Sequence, residues 1–391
     1  MNSVYLDNNA TTPLAPEVQE SIKGALKCFG NPSSAHAFGR EARSAVEEAR
    51  NEVAKLLDVP PTELVFTSGG SESNNLVIKS TICHSSSCVF SKQRGKPHLI
   101  TSVIEHPCVL ESCRCLERDG AEVTYLPVDG HGRVSPKDLD RAIKPNTKLV
   151  TIMYANNEIG TIQDIPSLSE VAKNKGVRFH SDAVQAIGKL EVEPQKLGLD
   201  FLALSGHKLY GPKGIGALWF KDKMYVCPLI TGGHQESGQR AGTENTLGII
   251  ALGKAAQLAK EESQEDRNRI ARLRDRLENG LLDGIADVRV NGHREHRLPN
   301  TLNVSFKYVE GESLLMYLDF EGIAVSTGSA CSSGSLEPSH VLLALGLSHG
   351  WAHGSVRFSL GRYTTEEEID YALEKTKLVV ERCRKMSPLY A

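Results

Sequence analysis

The feature that most constrains this 391-residue chain is an alternation that runs through its first two thirds. Short apolar runs over 63–67, 99–103, 123–126, 149–154, 178–181 and 201–205 read as strands. Helical patterns separate many of them: the spacing predicts helices over 72–79 and 167–174, and another that begins near Pro107. Parallel strands need a crossover of a dozen or more residues, usually a helix, whereas antiparallel ones need only a tight turn. The alternation therefore predicts an α/β domain on a largely parallel sheet.

From about Leu247 the pattern changes. A long helical stretch begins there, and Ile270, Leu273, Leu277 and Leu281 draw one stripe along it. Strands over 302–306 and 356–359 follow, with a helix over 312–319 between them. Thr365 and Glu368 make a capping box for a last helix with Ile369, Leu373 and Val380 on one face. This part reads as a second, smaller α+β domain. There is no internal repeat. Residues 81–96 are Ser-rich and basic toward their end, which predicts a surface loop.

The formal net charge of −3, with Lys and Arg spread along the chain, gives no reason to expect nucleic acid or an anionic membrane as partner. No run approaches the roughly 20 apolar residues of a spanning helix. The first residues lack the basic-then-apolar pattern of a secretory signal. Nine irregularly spaced cysteines in a chain this long predict reduced thiols in a cytoplasmic setting rather than a disulfide framework.

Several residues sit where strands end. Lys208, in Ser205-Gly206-His207-Lys208, follows an apolar strand; a lysine desolvated at a cleft becomes a nucleophilic amine, though alone it reads as a solvated surface group. Asp182 ends another strand and points to the crevice where α/β folds bind ligands; alone it reads as a helix cap. Ser68-Gly69-Gly70-Ser71-Glu72 lies between strand and helix, where backbone N–H groups favour an anion, but a lone Gly-Gly-Ser is usually a turn. His106, in Glu105-His106-Pro107, can move protons near neutral pH, and a lone histidine is usually structural. Asn156-Asn157-Glu158 is equally ambiguous. Cys331 stands in a run of small residues, 326–334, which predicts an accessible and reactive thiol. Cys83 and Cys88 flank a Ser run beside His84, and Cys113 and Cys115 are close together. Neither pair has a partner pair at zinc-site spacing, so both read as structural. Each signal is weak alone, but four candidate contacts at strand ends of one domain reinforce one another.

The chain resembles the cysteine desulfurases of the class V aminotransferase group, on the branch of the nitrogen-fixation enzyme and its housekeeping relative for iron–sulfur assembly. The likeness runs from the stretches 5–13 and 29–34, through Ser205-Gly206-His207-Lys208, to the stretch 357–362. Its most specific part, Ser329-Ala330-Cys331 with Gly334-Ser335-Leu336-Glu337-Pro338, looks like the long-loop type. The resemblance implies the fold of the type I transferases that depend on pyridoxal 5'-phosphate (PLP). It implies a large, mainly parallel mixed-sheet domain over 13–262 and a small α+β domain from 1–12 and 263–391. It also implies conversion of L-cysteine to L-alanine, with a persulfide left on Cys331 for an iron–sulfur scaffold or other acceptor protein.

By the same resemblance Lys208 carries PLP, Asp182 pairs with its pyridinium nitrogen, Gln185 meets the ring hydroxyl, and His106 stacks on the ring and handles a proton. Gly70, Ser71, Ser205 and His207 bind the phosphate, with Thr243 reaching over from the other subunit of a homodimer. Asn156, counted also as a cofactor contact, and Arg357 hold the substrate carboxylate; a guanidinium suits that task. No resident metal is implied, though Cys331 is a candidate transient ligand of a cluster under assembly. Ser71 stands where the family usually has Thr, and the hydroxyl survives. Thr327 replaces a more usual Ser, and 81–96 is longer than in close relatives. A selenocysteine lyase or other aminotransferase-type enzyme is the rival reading within the fold, and a non-catalytic assembly scaffold the rival outside it.

Overall fold

The structure, a computed structural model, describes residues 3–83, 85–91, 96–262, 264–327 and 338–387. A short strand β1 (Val4–Tyr5) opens the chain. Seven strands follow: β2 (Leu64–Thr67), β3 (His98–Ser102), β4 (Glu122–Leu126), β5 (Thr147–Thr151), β6 (Arg178–Asp182), β7 (Phe201–Ser205) and β8 (Gly216–Phe220). They form one sheet in the order β2-β8-β7-β6-β5-β3-β4. The pairs from β7 to β4 are parallel, and β8 runs antiparallel to both its neighbours. Every residue of β3, β5, β7 and β8 is buried, as expected of strands covered on both faces.

Beyond them, β9 (Val288–Asn291), β10 (Thr301–Phe306) and β12 (Ser355–Ser359) make an antiparallel sheet of order β12-β10-β9. The short strand β11 (Ile323–Ala324) pairs in parallel with β1. The apolar side chains behind the small sheet, among them Leu273, Leu277, Phe306, Phe358 and Ile369, form a cluster separate from the one under the large sheet. The N-terminal segment joins the two: Asn8 N–H donates to Ser359 O at 3.1 Å, and four residues on Thr12 N–H donates to His207 O at 3.0 Å.

Three sequence expectations need correction. The helical stretch from 247 is two helices, Thr246–Glu261 and Gln264–Gly284, because Glu262 takes an extended conformation at the break. Residues 81–96 are only partly a surface loop among the described residues: 85–87 are exposed, but Thr81 is buried, and Cys88 and Phe90 pack in an apolar cluster with Val226 and Phe220. Nor are all cysteines reduced, since Cys83 is bonded to Cys227. The capping box of the last helix, Glu366–Met386, is present as read. No helix among the described residues is long and apolar enough to cross a membrane.

Candidate active site

A cavity of about 270 Å³ opens at the C-terminal ends of the parallel strands. The segments after β2, β3, β5, β6 and β7 supply most of its walls. From β2 the chain turns at Gly69, whose φ of 153° favours glycine, into the helix Gly70–Ser80. A Cβ on Gly70 would stand 2.5 Å from Val184 Cγ2, so only glycine lets that helix start so close to the loop after β6. Beyond β3 comes His106, which caps the helix Pro107–Arg118 by accepting the Cys108 N–H at its Nδ1, 3.2 Å away. β6 delivers Asp182 and then Gln185, while β7 delivers Ser205, His207 and Lys208. Arg357 enters from β12. These side chains, with Gly70 and Ser71, all line the cavity.

One residue expected there does not. Asn156 is fully buried and spends its amide on the fold: Nδ2 donates to Ile104 O at 2.9 Å, and Oδ1 accepts the N–H groups of Glu158 and Ile159 at 2.8 and 3.0 Å. Its neighbour Asn157 lines the cavity instead. Thr243 is exposed and does not reach this chain's cavity. Cys331, with the rest of 328–337, lies outside the described residues.

The electrostatics are set by burial. Asp182 Oδ2 accepts from Asn74 Nδ2 at 2.7 Å and Oδ1 from Val184 N–H at 3.0 Å, which fixes the carboxylate plane. Asn74 Oδ1 lies buried with no partner among the described residues. Burial holds the His106 imidazole below the usual histidine range, with Asp182 opposing and Lys208 adding to the effect. Burial, with Lys208, Lys213 and Lys189 nearby, pushes His207 down to about 4. Lys208 Nζ donates to the backbone carbonyls of Asn9 and, at 2.6 Å, Ala10. The Arg357 guanidinium pairs with Asp7 Oδ1 at 2.7 Å and donates to Asn157 O at 3.0 Å; its buried Nε has no partner among the described residues.

Sequence reasoning missed three groups here besides Asn157. Asn74 orients Asp182. Glu105 accepts from Ser102 Oγ at 2.6 Å and from Met153 N–H at 3.0 Å, and burial pushes its carboxyl up to about 8. Cys108 lines the cavity, but burial, then Asp182, pushes its thiol up to about 12, so it stays protonated and unreactive near neutral pH. Asn74 lies on the buried side of a helix and Cys108 on the next helix over, and nothing in their local sequence marks either.

The residues present fit PLP. A helix N-terminus without a Cβ in the way, with the hydroxyls of Ser71 and Ser205, suits a phosphate. A fixed carboxylate suits a pyridinium nitrogen, and a primary amine suits an aldehyde.

The aminotransferase class-V family matches residues 4–372. A Dictyoglomus turgidum protein named cysteine desulfurase IscS is 52% identical over 386 residues, 98% of this chain and 96% of its own. One of the same name from Methanosarcina thermophila is 50% identical over 388 residues, 99% of this chain and 94% of its own. Among solved structures, a NifS-like protein superposes with a TM-score of 0.89 at 39% identity, covering 97% of this chain and 100% of its own. SspA in complex with cysteine superposes with a TM-score of 0.80, also at 39% identity, covering 93% and 100%. Sheet order, cavity and sequence thus agree, and the chain belongs to the class-V aminotransferase family.

Proposed function

We infer that the protein is a PLP-dependent cysteine desulfurase, which converts L-cysteine to L-alanine and carries the sulfur on Cys331. The observation that carries this reading is the convergence of the Lys208 amine, the Asp182 carboxylate and the Arg357 guanidinium on one cavity. The two curated relatives above bear that activity as their name.

Asp182 would hold the pyridinium nitrogen of PLP, which would supply an electron sink for the substrate α-carbon. Arg357 and the Asn157 side chain hold the substrate carboxylate. Lys208 Nζ takes the α-proton. His106, kept neutral by burial, accepts the Cys108 N–H at Nδ1 and so carries its ring proton at Nε2, as a hydrogen-bond donor for the substrate sulfur. The Cys331 thiolate then forms an S–S bond to the substrate sulfur as the carbon–sulfur bond breaks. The electron pair of that bond stays with carbon, which is protonated and leaves as alanine. The persulfide passes to a sulfur acceptor, with an iron–sulfur scaffold the first candidate.

The exposed Thr243 supports a homodimer in which it completes the partner's phosphate site. The apolar cluster behind the small sheet, separate from those packed on the large sheet, supports a division into a large part, 13–262, and a small part, 1–12 with 263–391. Mass spectrometry of the Cys331 peptide after incubation with L-cysteine is the decisive test. Gain of one sulfur atom at that residue is expected. An unmodified Cys331 during steady alanine release would overturn the reading in favour of a lyase.

A further inference from the structure

Away from the catalytic cavity, three cysteines from two distant stretches meet. Cys83 and Cys88 follow the helix Gly70–Ser80, and Cys227 follows β8. Their Sγ atoms all lie within 4.8 Å of one another. Cys83 and Cys227 are 144 positions apart in the chain, so pairwise spacing could not reveal the group. In the structure these two are joined with a Cα–Cα distance of 6.4 Å. Cys88 is left as a buried free thiol beside them, 3.6 Å from Ser80 O.

The surroundings are built for more than a two-sulfur link. Ser85 N–H donates to Cys83 Sγ at 3.4 Å. Ser80 Oγ donates to Cys227 O at 3.3 Å, and Val89 N–H to Tyr225 O at 2.9 Å, so the two stretches are laced together on both sides of the sulfurs. Lys148, buried on β5, donates its ammonium to Thr81 O at 3.1 Å and Phe90 O at 3.3 Å, bracketing the segment that carries Cys83 and Cys88. A buried ammonium favours thiolates, and three thiolates on a divalent cation leave one negative charge for it to offset.

We propose that Cys83, Cys88 and Cys227, when reduced, form a zinc site that ties the far end of the helix Gly70–Ser80 to the stretch leaving β8. Thiolate sets select soft or borderline metals, and zinc takes such a set in a tetrahedron. Zinc–sulfur bonds of about 2.3 Å place tetrahedral sulfurs roughly 3.8 Å apart, within the present spread. The fourth position is left for water. His84 lies outside the described residues. Loading releases three thiol protons. Starting from the bonded Cys83–Cys227 pair, it first needs two electrons and two protons from a small-molecule dithiol, which is itself oxidised to a disulfide.

The test uses the PLP-loaded full chain carrying Cys331→Ala, so that the catalytic thiol binds nothing. The protein is reduced with dithiothreitol, exposed to zinc sulfate, desalted and assayed for zinc. About one zinc ion per chain is expected. Cys83→Ser, Cys88→Ser and Cys227→Ser should each weaken retention against a chelator at least about tenfold, and Cys28→Ser should not. Full retention in Cys88→Ser would overturn the proposal. So would a protein that takes up no zinc. Should the serine variants fail to fold, X-ray absorption at the zinc edge decides on the parent protein. A shell with about three sulfurs near 2.3 Å is expected, and a shell of only nitrogen and oxygen would overturn it.

Discussion

The Ser339 hydroxyl donates to Oε2 of the buried Glu158 carboxyl. On the other side of the stretch 328–337, Ser326 and Arg357 exchange backbone hydrogen bonds of 3.3 and 2.7 Å. Both anchors of the stretch that contains Cys331 therefore stand at the wall formed by Asn157 and Arg357.

Glu158 should make stability depend on pH. Burial pushes its carboxyl up to about 7, with Ser339 and Arg357 pulling it back. In the unfolded chain it titrates near 4.5. Between these values the folded protein holds a proton that the unfolded chain has lost. The contribution is therefore whole below about 4.5 and is lost as pH rises through about 7. Glu158→Gln keeps an acceptor for Ser339 and removes the titration. Melting curves from about pH 5 to about pH 8 should show the variant gaining on the parent protein as pH rises. A constant difference would refute this.

Lys208→Ala should abolish the visible absorption of bound PLP and lower turnover at least about 10³-fold. Lys189, the other amine nearby, has Gln185 Oε1 at 2.6 Å and Asn9 Oδ1 at 3.3 Å as partners. Committed to those partners, it should not substitute. Retained turnover with normal absorption would remove Lys208 from its role.

The two cysteines assigned opposite reactivity make a paired test. Cys331→Ala should still bind L-cysteine, seen as a spectral shift, while alanine formation falls at least about 10²-fold. Cys108→Ala should keep alanine formation within a few-fold of the parent protein, because a thiol pushed up to about 12 is no nucleophile at neutral pH. Equal losses in both would contradict the assignment.

Asn157→Ala should raise KM for cysteine with a smaller effect on unfolding, as expected for a side chain that lines the cavity. Asn156→Ala should do the reverse. It strands the buried Glu158 and Ile159 N–H groups, at a cost of about 1–3 kcal/mol each. Steady-state kinetics and denaturant midpoints on both variants separate the two roles.

Much of this was legible because period and position carry it. Strands over 201–205 and 178–181 were readable from apolar runs, and Lys208 and Asp182 from their places after them. The antiparallel β8 was not, because Gly216–Phe220 follows Gly and Pro turns with no helix to announce it. The choice between Asn156 and Asn157 was invisible, since it depends on which amide the turn after β5 consumes internally. The meeting of Cys83 with Cys227 was equally hidden: it exists only once β8 has been laid beside β2.

The seat of Asn9 has a consequence for the order in which the protein becomes whole. Its N–H donates to Ser359 Oγ at 2.9 Å, its amide donates to Thr301 Oγ1 at 2.9 Å, and its carbonyl helps hold Lys208. The first of these contacts spans 350 positions. On the ribosome, that contact therefore waits for nearly all the chain to emerge, whereas Gln185 Nε2, which donates to Asn9 O at 2.9 Å, is available far earlier. A nascent chain stopped short of Ser359 can already seat residues 9–12 beside Lys208, through Gln185 and through the 3.0 Å bond from Thr12 N–H to His207 O. Synthesis thus leaves the attachment of the N-terminal segment to the small sheet for last.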